Sequence, residues 1–359
     1  MRASIDPEQG DSRLEQFKAA LDVCIKQRNN FHQVVTAFSV RYEDDDTGAI
    51  SDAAQFKGFA QVFGLGKVEE CVLSANDRMP GWTLMGRLME HLKSATKDFS
   101  EDTRGRLLVI LHYAGHEDDD PIRGLLLKPA STSKPAFRFD IVADVIEQFS
   151  VASNIPVDVV MILDCCFAGA AALDPSLRYP LSIGTFELLA AVSEDYTAPS
   201  SSDVIVTRRT LTAKLARAAA EARGQLESVD FAELLTRSHN LSHAKFPVHK
   251  LLSGSTSIRL RFPRHTESSP AFGPHLEPAH EHNTYKVIMS CHLPEEPGST
   301  ALADFFVWIE SLDHTLGIRV DSMYKTQSTG LIISAPYSIF VTLKTLVGAK
   351  LIFGAGQLT

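Results

Sequence analysis

Two short stretches of this chain carry side chains that can perform nucleophilic chemistry together. One is His112-Tyr113-Ala114-Gly115-His116, and the other is Asp164-Cys165-Cys166-Phe167-Ala168-Gly169. A thiol becomes a strong nucleophile only as the thiolate. An adjacent imidazole lowers its pKa and can later protonate a leaving amine. Each stretch follows an apolar run, Leu107–Leu111 and Val159–Leu163, of the kind that forms a strand buried on both faces. If the two strands are parallel neighbours, both stretches reach the carboxyl edge of one sheet, where open α/β sheets place ligands and chemistry. His116 is then the candidate base and acid, and Cys166 the candidate nucleophile, with Cys165 as the alternative thiol. His112, on the strand itself, reads as a structural histidine.

Tyr113-Ala114-Gly115-His116 and Asp164-Cys165-Cys166-Phe167-Ala168-Gly169 resemble the Tyr-Ser-Gly-His and Asp-x-Cys-x-Ser-Gly signatures of caspase-like peptidases. The metacaspase branch and its fungal caspase-domain relatives look closest. His116 and Cys166 stand about 50 residues apart, the caspase-like separation. That spacing, and the family's placing of its nucleophile two residues after the aspartate, favour Cys166 over Cys165. The resemblance implies a cysteine endopeptidase acting on polypeptides in a regulatory or cell-death-type pathway. It also implies an oxyanion hole built from the backbone N–H groups of Cys166 and Glu117.

By the same resemblance Asp52, which opens the helix after the first strand, would line the substrate pocket, and Asp164 would bring a second carboxylate to that edge. Two carboxylates suit a guanidinium or an ammonium, so cleavage is expected after Arg or Lys. Asp164 has a second reading as an Asx cap on the turn after its strand. Three positions depart from the pattern. Glu117 replaces a glycine, and Phe167 and Ala168 replace His and Ser. The competing reading is therefore a catalytically inactive caspase-fold scaffold acting as a protein-interaction module. A phosphate-handling enzyme is disfavoured, since no glycine-rich loop follows the first strand.

Positioning such a site takes alternating strands and helices. The patterning predicts strands at 34–42, 68–73, 107–111, 159–163, 186–192 and 257–262, a hairpin through 124–128, and helices at 52–64, 81–98, 138–149, 208–223 and 229–241. The expected fold is α/β: a caspase-like, mostly parallel sheet with helices on both faces over residues 31–263. Residues 1–30 form an N-terminal helical extension whose stripe of Leu14, Phe17, Leu21, Cys24 and Ile25 is expected to pack on that sheet. Residues 264–282, rich in Pro and His, read as a linker without metal-ligand spacing. Residues 283–359 follow a βαββαβ order, that of a ferredoxin-like domain, and read as a module for a signalling partner.

The net charge of −9 argues against nucleic-acid or anionic-membrane partners. Five cysteines without framework spacing fit a reducing compartment. With no apolar run near the ~20 residues of a membrane span and no apolar leader at the amino terminus, a cytoplasmic protein is expected. The motifs require no cofactor. Glu43-Asp44-Asp45-Asp46 raises Ca²⁺ as a candidate activator, but the run lacks the alternating spacing of an EF-hand and reads as a solvated loop.

Overall fold

The computed structural model describes residues 15–23, 32–99, 105–120, 124–131, 134–165, 183–191, 210–239, 247–254, 256–263, 286–293, 300–312, 317–325, 329–343 and 349–355. Helix α1 covers residues 15–23. It is followed by β1 (Val34–Tyr42), α2 (Ala49–Val62), β2 (Glu69–Leu73), α3 (Pro80–Ala95), β3 (Leu107–Ala114), β4 (His116–Asp120), β5 (Gly124–Lys128) and β6 (Phe137–Arg138). Then come α4 (Ile141–Ser153), β7 (Val157–Asp164), β8 (Ile183–Ala190), α5 (Leu211–Arg223), β9 (Ser228–Asp230), α6 (Phe231–His239), β10 (Val248–Ser253) and β11 (Arg259–Arg261). The last elements are β12 (Lys286–Leu293), α7 (Thr300–Ser311), β13 (Arg319–Lys325), β14 (Thr329–Pro336), α8 (Tyr337–Leu343) and β15 (Ala349–Ala355). They divide into two compact units, one of Phe31–Gly254 with Ile258–Phe272, the other of Met1–Asn30, Ser255–Ser257 and Gly273–Thr359.

The first unit is built on a six-stranded sheet in the order β10-β8-β7-β3-β1-β2. Every neighbouring pair is parallel except β10 with β8. β3 and β7 are buried along their whole length, as strands covered on both faces must be. Their alternate side chains serve two cores. Val109, Leu111, Tyr113, Val159, Met161 and Leu163 meet α3 and α4, whereas Leu108, Ile110, Val160 and Ile162 meet α2, α5 and α6. Helices therefore cover both faces.

Three details differ from the sequence reading. The sixth strand is β10, which the apolar pattern does not announce because its buried inward residue is a histidine. His249 Nε2 lies 2.5 Å from the buried Glu187 Oε1 of β8. The terminal strand is short and leaves the central sheet, β11 pairing with β9 in a sheet of its own. Asp230 delays the helix expected from residue 229, because its Oδ1 accepts the Glu233 N–H at 2.7 Å and caps α6.

At the amino edge of the sheet, buried Asp158 ties four strands together. It accepts from Arg106 Nη2 (2.6 Å) and Nε (3.0 Å), from the Thr185 N–H (2.6 Å), and contacts His32 Nε2 at 2.8 Å. Only glycine fits at 184, where a Cβ would stand 2.3 Å from Asp158 Oδ1. Asp158→Ala would leave a guanidinium and an amide without their acceptor. It should cost about 2–4 kcal/mol in a urea titration; a loss below about 1 kcal/mol would show that the cluster does not hold the edge.

In the second unit β12 to β15 form an antiparallel sheet in the order β13-β14-β12-β15. Val287, Met289, Cys291, Leu331, Ile333 and Ala335 face Leu302, Phe305 and Ile309 of α7 and Ile339, Phe340 and Leu343 of α8. The stripe of α1, expected against the central sheet, instead supplies Phe17 and Leu21 to this core. Phe17 meets Phe305 edge-on, ring centroids 5.5 Å apart. Among the described residues no helix is long and apolar enough to cross a membrane.

Candidate active site

The strand order reverses between β1 and β3, so the crevice beyond their carboxyl ends is the expected ligand site. Two structures meet there: the loop that follows β1 and the turn between β3 and β4. Gly115 makes that turn at φ 140°, and a Cβ on it would come 3.0 Å from Asp45 Oδ2 and 3.1 Å from the Tyr113 hydroxyl. Tyr113 is fully buried and its hydroxyl donates to the His116 carbonyl at 2.5 Å, anchoring the main chain of the histidine. Burial pushes that phenol well above its ordinary pKa, so it stays a donor. The His116 ring, about one-third exposed, places Nε2 2.5 Å from Asp46 Oδ1. This hydrogen bond holds the Asp46 carboxyl below its usual range.

The acidic run is a loop, with Glu43 and Asp46 exposed and Asp44 and Asp45 half-buried, and its carboxylates are engaged by protein groups. Glu43 Oε1 accepts from the Ser74 hydroxyl (2.7 Å) and the Ala75 N–H (2.9 Å), and Asp44 pairs with Lys134 at 3.4 Å. Asp45 Oδ1 accepts from the Thr47 N–H (2.9 Å), the Thr47 hydroxyl (2.8 Å) and the Ala49 N–H (3.0 Å), which caps the start of α2. Glu43, Asp44 and Asp45 each meet a protein donor through one oxygen, while Asp44 Oδ1 is buried without a partner among the described residues. Among the described residues no three His, Cys, Asp or Glu side chains are grouped to hold a metal ion.

On the α2–α5 side of the sheet the structure brings Asp52 and Asp164 together. Asp164 ends β7 level with Ala114 of β3. Its Oδ2 accepts the Thr212 N–H at 2.8 Å, in the first turn of α5, where Thr210 is the N-cap and accepts from the Ala213 N–H. Asp52, in the first turn of α2, is only 4% exposed. Burial, then the charge of Asp164, push its pKa up to about 8, against a hydrogen bond from Thr210. Burial also raises Asp164, opposed by its bonds to Thr212. Asp52 Oδ1 is buried with no hydrogen-bond partner among the described residues.

Beneath the pair lies His112, with Nδ1 3.0 Å from the Ser39 hydroxyl and Nε2 3.1 Å from the Thr212 hydroxyl, its ring stacked on Phe56. Burial drives its pKa down to about 3, so it is neutral and structural. Cys165 is 2% exposed in the core beside Leu163, on the face away from Asp164. Glu117 is buried in β4, opposite Leu127 of β5. Cys166 lies outside the described residues, as do Phe167, Ala168 and the linker histidines.

Residues that sequence reasoning missed are Asp46, Ser39, Thr210 and Thr212. Thr210-Leu211-Thr212 ahead of an apolar helical stripe is an N-cap signal that could have drawn attention. Asp46 was hidden by its acidic neighbours. No protein-family model matches this chain, and no curated protein matches it.

The two buried titrating groups have opposite effects on stability. Asp52 keeps its proton to about pH 8 when folded and to about 3.8 when unfolded, so its contribution is full below pH 3.8 and is lost as pH rises through 8. His112 is depressed from 6.5 to about 3, so its contribution is full above 6.5 and is lost as pH falls through 3. The slopes offset one another between those limits, and from pH 6.5 to 8 the decline comes from Asp52 together with its raised neighbour Asp164 rather than from His112. Asp52→Asn should therefore reduce a decline of about 2 kcal/mol over that interval. Denaturant titrations of both proteins at pH 6.5 and 8 measure it; an unchanged decline would exclude Asp52 as its source.

Proposed function

We propose that this chain is a caspase-like cysteine endopeptidase of the metacaspase type, cleaving after Arg or Lys, with Cys166 as nucleophile and His116 as general base and acid. The observation that carries the reading is the buried Asp52–Asp164 pair at the carboxyl edge of β7, the strand from which Cys166 follows two residues later. The mostly parallel sheet with its reversal between β1 and β3 supports a caspase-like fold. In the mechanism, the thiol proton of Cys166 passes to His116 and the thiolate attacks the scissile carbonyl. The oxyanion is met by the backbone N–H groups of Cys166 and Glu117. The proton then goes to the leaving amine, and water hydrolyses the acyl-enzyme.

The second unit reads as a ferredoxin-like domain, a reading supported by its βαββαβ order and all-antiparallel pairing. It serves best as a partner-binding module of a cytoplasmic signalling protease. One observation favours the inactive-scaffold alternative. A carboxylate side chain, Glu117, is buried next to His116 where the family pattern has glycine. A fluorogenic panel with Arg, Lys and Asp at the cleavage position, run with and without Ca²⁺ on the intact chain, separates the two. Cleavage after Arg or Lys supports the peptidase; no turnover of any peptide together with no selective thiol labelling of Cys166 supports the scaffold.

A further inference from the structure

The contact between Asp46 and His116 has no role in the mechanism above, yet it specifies the chemistry of the ring. Asp46 Oδ1 lies 2.5 Å from His116 Nε2. An ionised carboxylate only accepts hydrogen bonds, so Nε2 carries the hydrogen and donates it. In the neutral imidazole the remaining lone pair is then on Nδ1. We infer that Asp46 is the positioning residue of His116, holding the imidazole in its Nε2–H tautomer so that Nδ1 takes and returns the proton. The inference rests on the peptidase reading, since a poised base matters only where a proton moves.

Both partners are fixed from behind. The His116 main chain is anchored by the Tyr113 hydroxyl and by the turn that only Gly115 accommodates. The Asp46 main chain sits between Asp45 and Thr47, which are locked to each other by two hydrogen bonds and to α2 by a third. Among the described residues the charged groups around the ring are Asp46, the Asp45 carboxylate at the turn, Glu117 next in the chain, and Lys128, opposite His116 in β5 and paired with Asp118 at 3.3 Å. When Nδ1 accepts the thiol proton, the ring becomes an imidazolium with N–H on both nitrogens. The Nε2–H stays on Asp46, which is not protonated, and the Nδ1–H is free for the leaving amine. Asp46 is three-quarters exposed, so the pair adds little to stability. Its effect lies in which nitrogen is basic.

Imidazole ¹⁵N spectra of the full chain, with steady-state kinetics on an arginyl peptide, test this. The wild type should show the Nε2–H tautomer at His116. Asp46→Ala should shift it towards Nδ1–H and lower kcat about 10- to 100-fold, with KM changed less than about twofold and the denaturation midpoint unmoved. Asp46→Asn, whose amide oxygen can still accept from Nε2, should keep the tautomer and recover part of kcat. An Nδ1–H tautomer in the wild type, or a tautomer and kcat unaffected by Asp46→Ala, would overturn the inference. A wild type that cleaves no peptide would sink the peptidase reading, and the tautomer of the two proteins would still decide what Asp46 does.

Discussion

Cys166→Ala should lower hydrolysis of arginyl peptides by about 10⁴-fold or more, whereas Cys165→Ala should keep most of the wild-type rate. Removing the nucleophile of a covalent mechanism leaves only binding and electrostatic help, and losses of this size are the rule for such groups. Cys165 is spent on packing: it is 2% exposed in the core beside Leu163 and Tyr113, on the opposite face of β7 from Asp164. Replacing it by alanine removes one buried sulfur, a cost of about 1 kcal/mol in stability and little in turnover. Residue 165 is directed to the α3–α4 core with Leu163, as side-chain alternation from β7 requires. The measurement is kcat/KM for both variants beside a melting curve for each. Equal losses with both proteins folded would mean that the assignment of the nucleophile is wrong.

Much of the architecture was legible because it is carried by apolar runs. Leu107–Leu111 and Val159–Leu163 can only be strands covered on both faces, and they are the two central strands. What the sequence hid is carried by polar groups satisfied inside the protein. β10 buries His249 against Glu187, so its alternation looks hydrophilic. The run Glu43–Asp46 looks solvated because composition cannot show that Asp45 caps a helix or that Asp46 meets a histidine 70 positions further along. Asp164 was open to two readings, cap or pocket group. The structure shows it accepting the Thr212 N–H in the first turn of α5, 48 positions along the chain rather than on the turn after its own strand, and lying close enough to Asp52 for their charges to interact. The stripe of α1 was legible as a helix face but not as to which core it joins, because Phe17 and Leu21 would suit any apolar surface.

Discrimination at the cleavage position should exceed about 10³-fold in favour of arginine over aspartate, and Asp52 is the residue on which to test it. A guanidinium entering beside Asp52 and Asp164 would favour their ionised forms in a buried setting, where pairing counts for far more than in water, while an aspartate side chain would bring a negative charge to carboxyls whose own ionisation burial already disfavours. Asp164→Ala is the poorer probe, because it also removes the acceptor of the Thr212 N–H and loosens α5. Asp52→Asn keeps the shape and the neighbours. Truncating one partner of a buried charge pair costs about 2–5 kcal/mol, so kcat/KM for arginyl peptides should fall about 10²- to 10³-fold with peptides uncharged at that position little changed. The pH profile carries a second signature. Asp52 holds its proton to about pH 8 in the free protein, and the cation is attracted to the ionised form. For arginyl peptides kcat/KM, which reports free-enzyme groups, should therefore rise with pH through about 8, a step that Asp52→Asn erases. Preferential cleavage after aspartate, or a rise that survives in the variant, would remove the acidic pair from the substrate pocket and with it the main support for an arginine-directed peptidase.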